Sequence, residues 1–226
     1  MKSAIVFDWN GTLLDDANAV LQTINAILSR FSRSAVDMHK LREEFELPLS
    51  ALFRNMNMSE DEIELVQNND SAIFHDTYEF LASGAPLRKG ARNVLLTARQ
   101  QAVQTLILSN HIVEPIRAQV RRHGIESHVT DILAFESRAT QFRSMSKEDR
   151  LRQYMLANDL STDRTVVIGD MPVETEIARN LHLISVSITG GFVSEARLRA
   201  AQPDYIIQDH HELGAILQKH GLFRST

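Results

Sequence analysis

Near the start of the chain, Ala4-Ile5-Val6-Phe7 runs directly into Asp8-Trp9-Asn10-Gly11-Thr12-Leu13-Leu14-Asp15. Four apolar residues with no polar alternation read as a strand buried on both faces. Asp8 follows at once, and Gly11-Thr12 turns the chain. In open parallel sheets, ligands bind beyond the carboxyl ends of the strands. A carboxylate there is placed to react, although capping a turn is an equally ordinary role for it. Working outward, 106–108, 165–168 and 184–188 are further β-branched runs. The segments 131–135 and 205–207 are weaker strand candidates. Helix-like stretches separate these runs, which implies βαβ units and a parallel sheet. The expected fold is therefore α/β, a three-layer Rossmann-like sheet.

Residues 16–86 break this rhythm. They contain no convincing strand. Val20, Ile24, Ile27, Leu28 and Phe31 recur at helical spacing. Ser59 and Glu62 form a capping box that predicts a long helix, with Ile63, Val66 and Ile73 on its apolar stripe. Ser83-Gly84-Ala85-Pro86 ends it. This stretch holds 5 Lys+Arg against 12 Asp+Glu, whereas the rest of the chain holds 19 against 17. The expected organisation is an α/β core over 1–15 and 87–226, with an acidic, all-helical cap inserted at 16–86.

Composition narrows the function. The chain has 226 residues, 43% hydrophobic and 23% charged, with a formal net charge of −5. A mildly acidic protein is a poor default binder of nucleic acid or anionic membrane. The absence of cysteine excludes disulfides, thiolate metal sites and cysteine nucleophiles. No apolar run approaches the length of a membrane span, and the first one stops at Asp8, too soon for a signal peptide. A cytoplasmic protein is the simplest expectation.

Three more motifs carry chemistry. Ser109-Asn110 closes a strand candidate, where a hydroxyl and backbone N–H groups make an anion cradle; an ordinary turn also has this composition. Gly169-Asp170-Met171-Pro172-Val173-Glu174 puts two carboxylates four residues apart between a buried strand and a helix. Hard divalent cations such as Mg²⁺ take such oxygen ligands, although acids at a helix N-terminus also serve its dipole. Lys147 opens the helix before that strand, with Ser146 as its N-cap.

An Asp after strand one, a Ser after strand two, a Lys at a helix start and Gly-Asp-x-x-x-acid occur in that order. The chain thereby resembles the haloacid dehalogenase-like hydrolase superfamily over nearly its whole length. Thr189-Gly190-Gly191-Phe192 and Pro203-Asp204-Tyr205-Ile206-Ile207 look like its phosphoglycolate-phosphatase-like branch. The resemblance implies a Mg²⁺-dependent phosphatase of a small phosphorylated metabolite. Asp8 would be the nucleophile that forms an aspartyl-phosphate. Asp8, the Asn10 carbonyl and Asp170 would hold Mg²⁺, with Glu174 at the position of a further acid and acting less directly. Thr12, Ser109, Asn110 and Lys147 would hold the phosphoryl group, and Lys147 would also offset the clustered carboxylates.

One residue departs from the family pattern. Asn10 stands where these phosphatases carry the Asp that protonates the leaving alcohol and then activates water. An amide cannot donate and recover a proton, and such assistance is typically worth about 10²–10⁴ in rate. Three readings stay open: a phosphatase that is slow or otherwise helped, a family member with other chemistry such as phosphonate or halide hydrolysis, and a phospho-ligand-binding protein with little turnover. His111 can in principle replace the acid, but a solvent-facing histidine at a helix start is the expectation. Neighbouring His210 and His211 diverge and suit no metal. His75-Asp76 reads as part of a helix, and Trp9 as packing. Arg54 is a candidate substrate contact in the acidic segment.

Overall fold

The computed structural model describes residues 2–67, 73–137 and 145–224. Six strands form one sheet: β1 Lys2–Phe7, β2 Gln104–Ile112, β3 Asp131–Phe135, β4 Leu160–Gly169, β5 Ile184–Ile188 and β6 Tyr205–Ile207. Their order is β3-β2-β1-β4-β5-β6, and every pairing is parallel. The chain proceeds from β1 to one side and then crosses to the other. That reversal leaves a crevice at the carboxyl ends of β1, β2 and β4.

Between β1 and β2 lie α1 Ala17–Arg30, α2 Met38–Glu44, α3 Leu49–Asn55, α4 Glu60–Gln67, α5 Ile73–Ala82 and α6 Ala91–Gln100. The others are α7 Val113–Arg122, α8 Lys147–Asn158, α9 Pro172–Asn180, α10 Glu195–Ala200 and α11 Leu213–Lys219. The apolar faces explain the layering. Ile5, Phe7, Ile107, Val166 and Ile168 pack under α6, α7 and α11 on one side of the sheet. Ala4, Val6, Leu106, Leu108 and Val167 pack under α8 and α9 on the other. Alternate residues of one strand thus face opposite layers. This is why the strand runs are uninterruptedly apolar.

Helices α1 to α5 have their own apolar cluster, including Ile24, Ile27, Leu41, Leu52 and Phe53. It is completed by Phe192, Val193 and Leu198, which follow β5, and Phe45 meets Phe192 at a ring separation of 4.9 Å. None of the described residues in 16–86 joins the six-stranded sheet. The expected capping box forms: Ser59 N donates to Glu62 at 2.7 Å and Glu62 N to Ser59 Oγ at 3.3 Å. The single long helix expected after it is described as α4 and α5, and 68–72 lies outside the described residues. The chain leaves and re-enters the sheet domain side by side. Asp15 N donates to the Pro86 carbonyl at 2.8 Å, and Arg88 N to the Leu13 carbonyl at 2.9 Å.

Two strands run longer than their apolar cores. β4 begins at Leu160, where it pairs with Lys2 before a register shift. β2 continues through Ser109-Asn110-His111 to Ile112, with a register shift after Leu108. Backbone pairing to a neighbouring strand extends both, and apolar pattern alone does not report it.

Candidate active site

Asp8 emerges from β1, with its backbone N–H donating to the Ile168 carbonyl at 2.9 Å. β1 is thereby locked to β4, and Asp170 follows β4 by one residue past its end. Asp170 is fully buried. Its Oδ1 accepts from Thr12 Oγ1 at 3.0 Å and its Oδ2 from Phe192 N at 2.7 Å. Gly11, at φ +72, and Gly191 pack against this carboxylate: a Cβ on either would lie 2.3 or 2.2 Å from Oδ2. Side chains are excluded there, so the two loops close tightly around Asp170. Burial, and then the nearby Asp8 carboxylate, push its pKa well above the usual range.

Lys147 comes from the first turn of α8. Ser146 caps that helix as expected, accepting from Asp149 N at 3.0 Å. The ammonium lies 2.8 Å from Asp8 Oδ1 and 2.6 Å from Glu174 Oε1. Burial opposes its charge, but the two carboxylates outweigh burial and raise its pKa. Lys147 is therefore a fixed cation at neutral pH. Glu174, expected among the metal residues, is turned toward this lysine; its second oxygen accepts from Met171 N at 3.2 Å and caps α9.

Ser109, at the end of β2's buried run, is 1% exposed, and its Oγ accepts from His111 N at 3.1 Å. Arg150 of α8 fixes this turn: it donates to the Ser109 carbonyl at 3.0 Å and to Asn110 Oδ1 at 3.1 Å, stacked 4.2 Å over Phe135. The carboxyl ends of the three neighbouring strands thus gather Asp8, Asp170 and Ser109 in the crevice, with Lys147 against Asp8.

Asn10 is held from two sides. Its Nδ2 donates to Asp16 Oδ2 at 3.0 Å and to the Tyr78 hydroxyl at 2.6 Å. The Tyr78 hydroxyl donates in turn to Asp16 Oδ2 at 2.5 Å, and Gly11 N donates to Asp16 Oδ1 at 2.7 Å. Burial raises the Asp16 pKa to about 6 against the lowering effect of these hydrogen bonds. Burial, then the Asp16 charge, raises that of Tyr78 well above normal. Neither residue stood out in the sequence. Asp16 is simply the first residue of the inserted segment, and a tyrosine on an amphipathic helix carries no mark of its partner.

His111 departs from expectation. It belongs to β2, not to a helix start, and its side chain is 15% exposed. Its Nε2 lies 2.9 Å from Glu79 Oε1 of α5, and its Nδ1 accepts from Ile112 N at 2.8 Å. The strand extension past Ser109 carries it inward. His210 and His211 do diverge: His210 is buried with Nε2 2.7 Å from the Thr12 carbonyl, and His211 is exposed. Trp9 is fully buried and donates to Gln119 Oε1 at 2.6 Å. Arg54 is paired with Glu60, whose two oxygens accept from its Nε at 2.6 Å and from one Nη at 2.9 Å.

The donor set suits a hard cation. Asp8, Asp170 and Glu174 are buried together against the single ammonium of Lys147, an excess of negative charge that burial penalises. Among the described residues no group of three or more acidic or imidazole side chains converges as a protein-only cage. Mg²⁺ ordinarily uses one or two carboxylates, with water and substrate phosphate for the rest.

Known proteins place this arrangement. The chain is similar to the phosphoglycolate phosphatase of Synechococcus elongatus, 26% identical over 211 residues that cover 93% of this chain and 94% of the relative. It is 24% identical over 219 residues to a 5'-nucleotidase of Pseudomonas aeruginosa, covering 96% of each. A haloacid dehalogenase-like family hydrolase from Streptococcus pneumoniae shares the fold with a TM-score of 0.78 and 23% identity, covering 96% of this chain and 99% of its own. The family model for haloacid dehalogenase-like hydrolases matches residues 5–188, from the first strand through the fifth. With Asp8, Lys147 and the Asp170 loop in that order and in one crevice, the chain belongs to the haloacid dehalogenase-like hydrolase family.

Proposed function

We propose that this hydrolase is a Mg²⁺-dependent phosphatase of a small phosphorylated metabolite, working through an aspartyl-phosphate on Asp8. The observation that carries the reading is the Asp8 carboxylate held 2.8 Å from the Lys147 ammonium, at a crevice shared with Ser109 and Asp170. Phosphoryl transfer needs positioning and positive charge around spread negative charge. Lys147 supplies a cation that burial has already desolvated. Asp8 Oδ2, the oxygen without the lysine, is the attacking atom. Ser109 Oγ–H and Asn110 bind phosphoryl oxygens. Asp8, Asp170 and the Asn10 carbonyl would hold Mg²⁺, which supplies Lewis-acid neutralisation of the phosphoryl charge when bound. The helical segment 16–86 acts as a cap, hinged where 15–16 runs beside 85–89. Tyr78 of α5 reaches the loop after β1 and Glu79 reaches His111 in the last part of β2, so the cap lies across the site. Relatives named as a phosphoglycolate phosphatase and a 5'-nucleotidase support a small phosphate ester as substrate.

A Mg²⁺-dependent screen of phosphorylated metabolites, read as released phosphate, tests the reading. Release that Asp8→Asn abolishes, in a variant whose circular dichroism matches wild type, supports it, since only the nucleophile is then lost. Absence of release from every phosphate sinks it.

A further inference from the structure

The hydrogen bonds around the nucleophile leave a specific shortage. Cleaving an alkyl phosphate requires a proton on the departing oxygen, and each described candidate near Asp8 is committed elsewhere. Asn10 has two amide hydrogens; one goes to Asp16 and one to Tyr78. The Tyr78 hydroxyl gives its hydrogen to Asp16. Asp16 accepts three hydrogen bonds, from Asn10, Gly11 and Tyr78. Thr12 gives its hydrogen to Asp170. The His111 ring is taken up by the cap and its own strand, with Nδ1 2.8 Å from Ile112 N and Nε2 2.9 Å from Glu79 Oε1. Lys147 is bound between two carboxylates that hold its proton. Ser109 retains a hydroxyl hydrogen, but a serine hydroxyl is far too weak an acid to protonate an alkoxide.

We propose that the substrates of this site are phosphates whose leaving group is a weak base: acyl, enol or aryl phosphates, not alkyl phosphate esters. The inference rests on the phosphatase reading and narrows it. In the first step Asp8 forms a bond to phosphorus while the bond to the leaving oxygen breaks. The electron pair stays on that oxygen, which departs as carboxylate, enolate or phenolate without a proton. The second step has the same character, because the aspartyl-phosphate is itself an acyl phosphate. Water attacks phosphorus, the Asp8 carboxylate leaves, and the water proton passes to a phosphoryl oxygen of the released dihydrogen phosphate. Neither step calls on an acid the site does not have. Asp16 and Tyr78 are positioning residues here, since they fix which way the Asn10 amide is spent.

The test is a leaving-group series on the full-length enzyme with Mg²⁺: acetyl phosphate, p-nitrophenyl phosphate, phenyl phosphate, glycerol 3-phosphate and 2-phosphoglycolate. The expected result is kcat/KM falling steeply with leaving-group basicity, the two alkyl esters trailing p-nitrophenyl phosphate by at least about 10²-fold, the lower end of what a positioned acid supplies. The exchange variant Asn10→Asp with Asp16→Asn keeps one carboxyl and one amide but swaps their places. It should raise the alkyl-to-aryl ratio, whereas a purely structural role for the pair would lower all substrates alike. The wild-type series decides the matter even if the exchange variant fails to fold. Alkyl esters cleaved as fast as p-nitrophenyl phosphate overturn this inference and leave the phosphatase reading standing. Failure of every compound, acetyl phosphate included, overturns both.

Discussion

Lys147→Met removes the one ammonium facing the buried carboxylates and keeps a side chain of similar length. Lys147 is 6% exposed and touches Asp8 at 2.8 Å and Glu174 at 2.6 Å. Without it, Asp8 and Glu174 lose the cation they are salt-bridged to and stay in a water-poor site beside Asp170. Breaking one partner out of a buried ionic cluster costs about 3–5 kcal/mol, because the remaining charge stays buried. For a chain of this size each kcal/mol moves Tm by about 2–4 °C, so a fall of roughly 6–20 °C follows. The sign with pH is fixed. Carboxylates stripped of their cation bind protons more tightly folded than unfolded, so the variant's stability falls as pH rises. The deficit should be largest at pH 8 and shrink toward pH 5. Combining Lys147→Met with Glu174→Gln should cost less than the sum of the two, since the second change removes a charge the first left unpaired. Mg²⁺ should restore part of the loss by binding only the folded state. Thermal unfolding followed by circular dichroism, in EDTA and in Mg²⁺ at both pH values, measures all of this. A variant that melts within about 2 °C of wild type at pH 8 in EDTA, well under the shift worked above, would refute the reasoning.

Asp170→Asn should lose the heat of Mg²⁺ binding in calorimetry, because it replaces a carboxylate by a neutral amide that is a poor ligand for a hard cation. Gly191→Ala places a methyl 2.2 Å from Asp170 Oδ2; overpacking there should cost about 1–3 kcal/mol, with weakened Mg²⁺ affinity and turnover. His210 is held neutral, its pKa pushed down to about 4 mainly by burial. The unfolded chain therefore takes up a proton that the fold refuses. This group's contribution is present above about pH 6.5 and is lost as pH falls toward 4, amounting to roughly 3 kcal/mol. NMR of the imidazole should show no protonation of His210 down to about pH 5.

The sequence determined the layers of this protein. Ala4 to Phe7 and Val166 to Ile168 are apolar on every residue because the strands are buried on both faces, and that pattern needs no tertiary knowledge to read. Asp8, Ser109, Lys147 and Asp170 were equally visible, because each sits where a strand ends or a helix begins and local chemistry marks such places. The capping residues Ser146 and Ser59 acted as their neighbours required. What the tertiary structure alone decided is how those groups are occupied. Glu174 follows Asp170 at a metal-like spacing, yet its oxygens go to Lys147 and the start of α9. His111 is drawn from a surface helix into a strand by pairing with β3, and so meets Glu79 on a helix 32 residues earlier. Asn10 is plain in the sequence as an amide, but both its donors are spent on Asp16 and on Tyr78, 68 residues away. Local pattern records which groups a chain carries and where they leave its regular elements. Which donor meets which acceptor depends on contacts between distant segments, and those exist only once the helices of 16–86 have closed over the sheet.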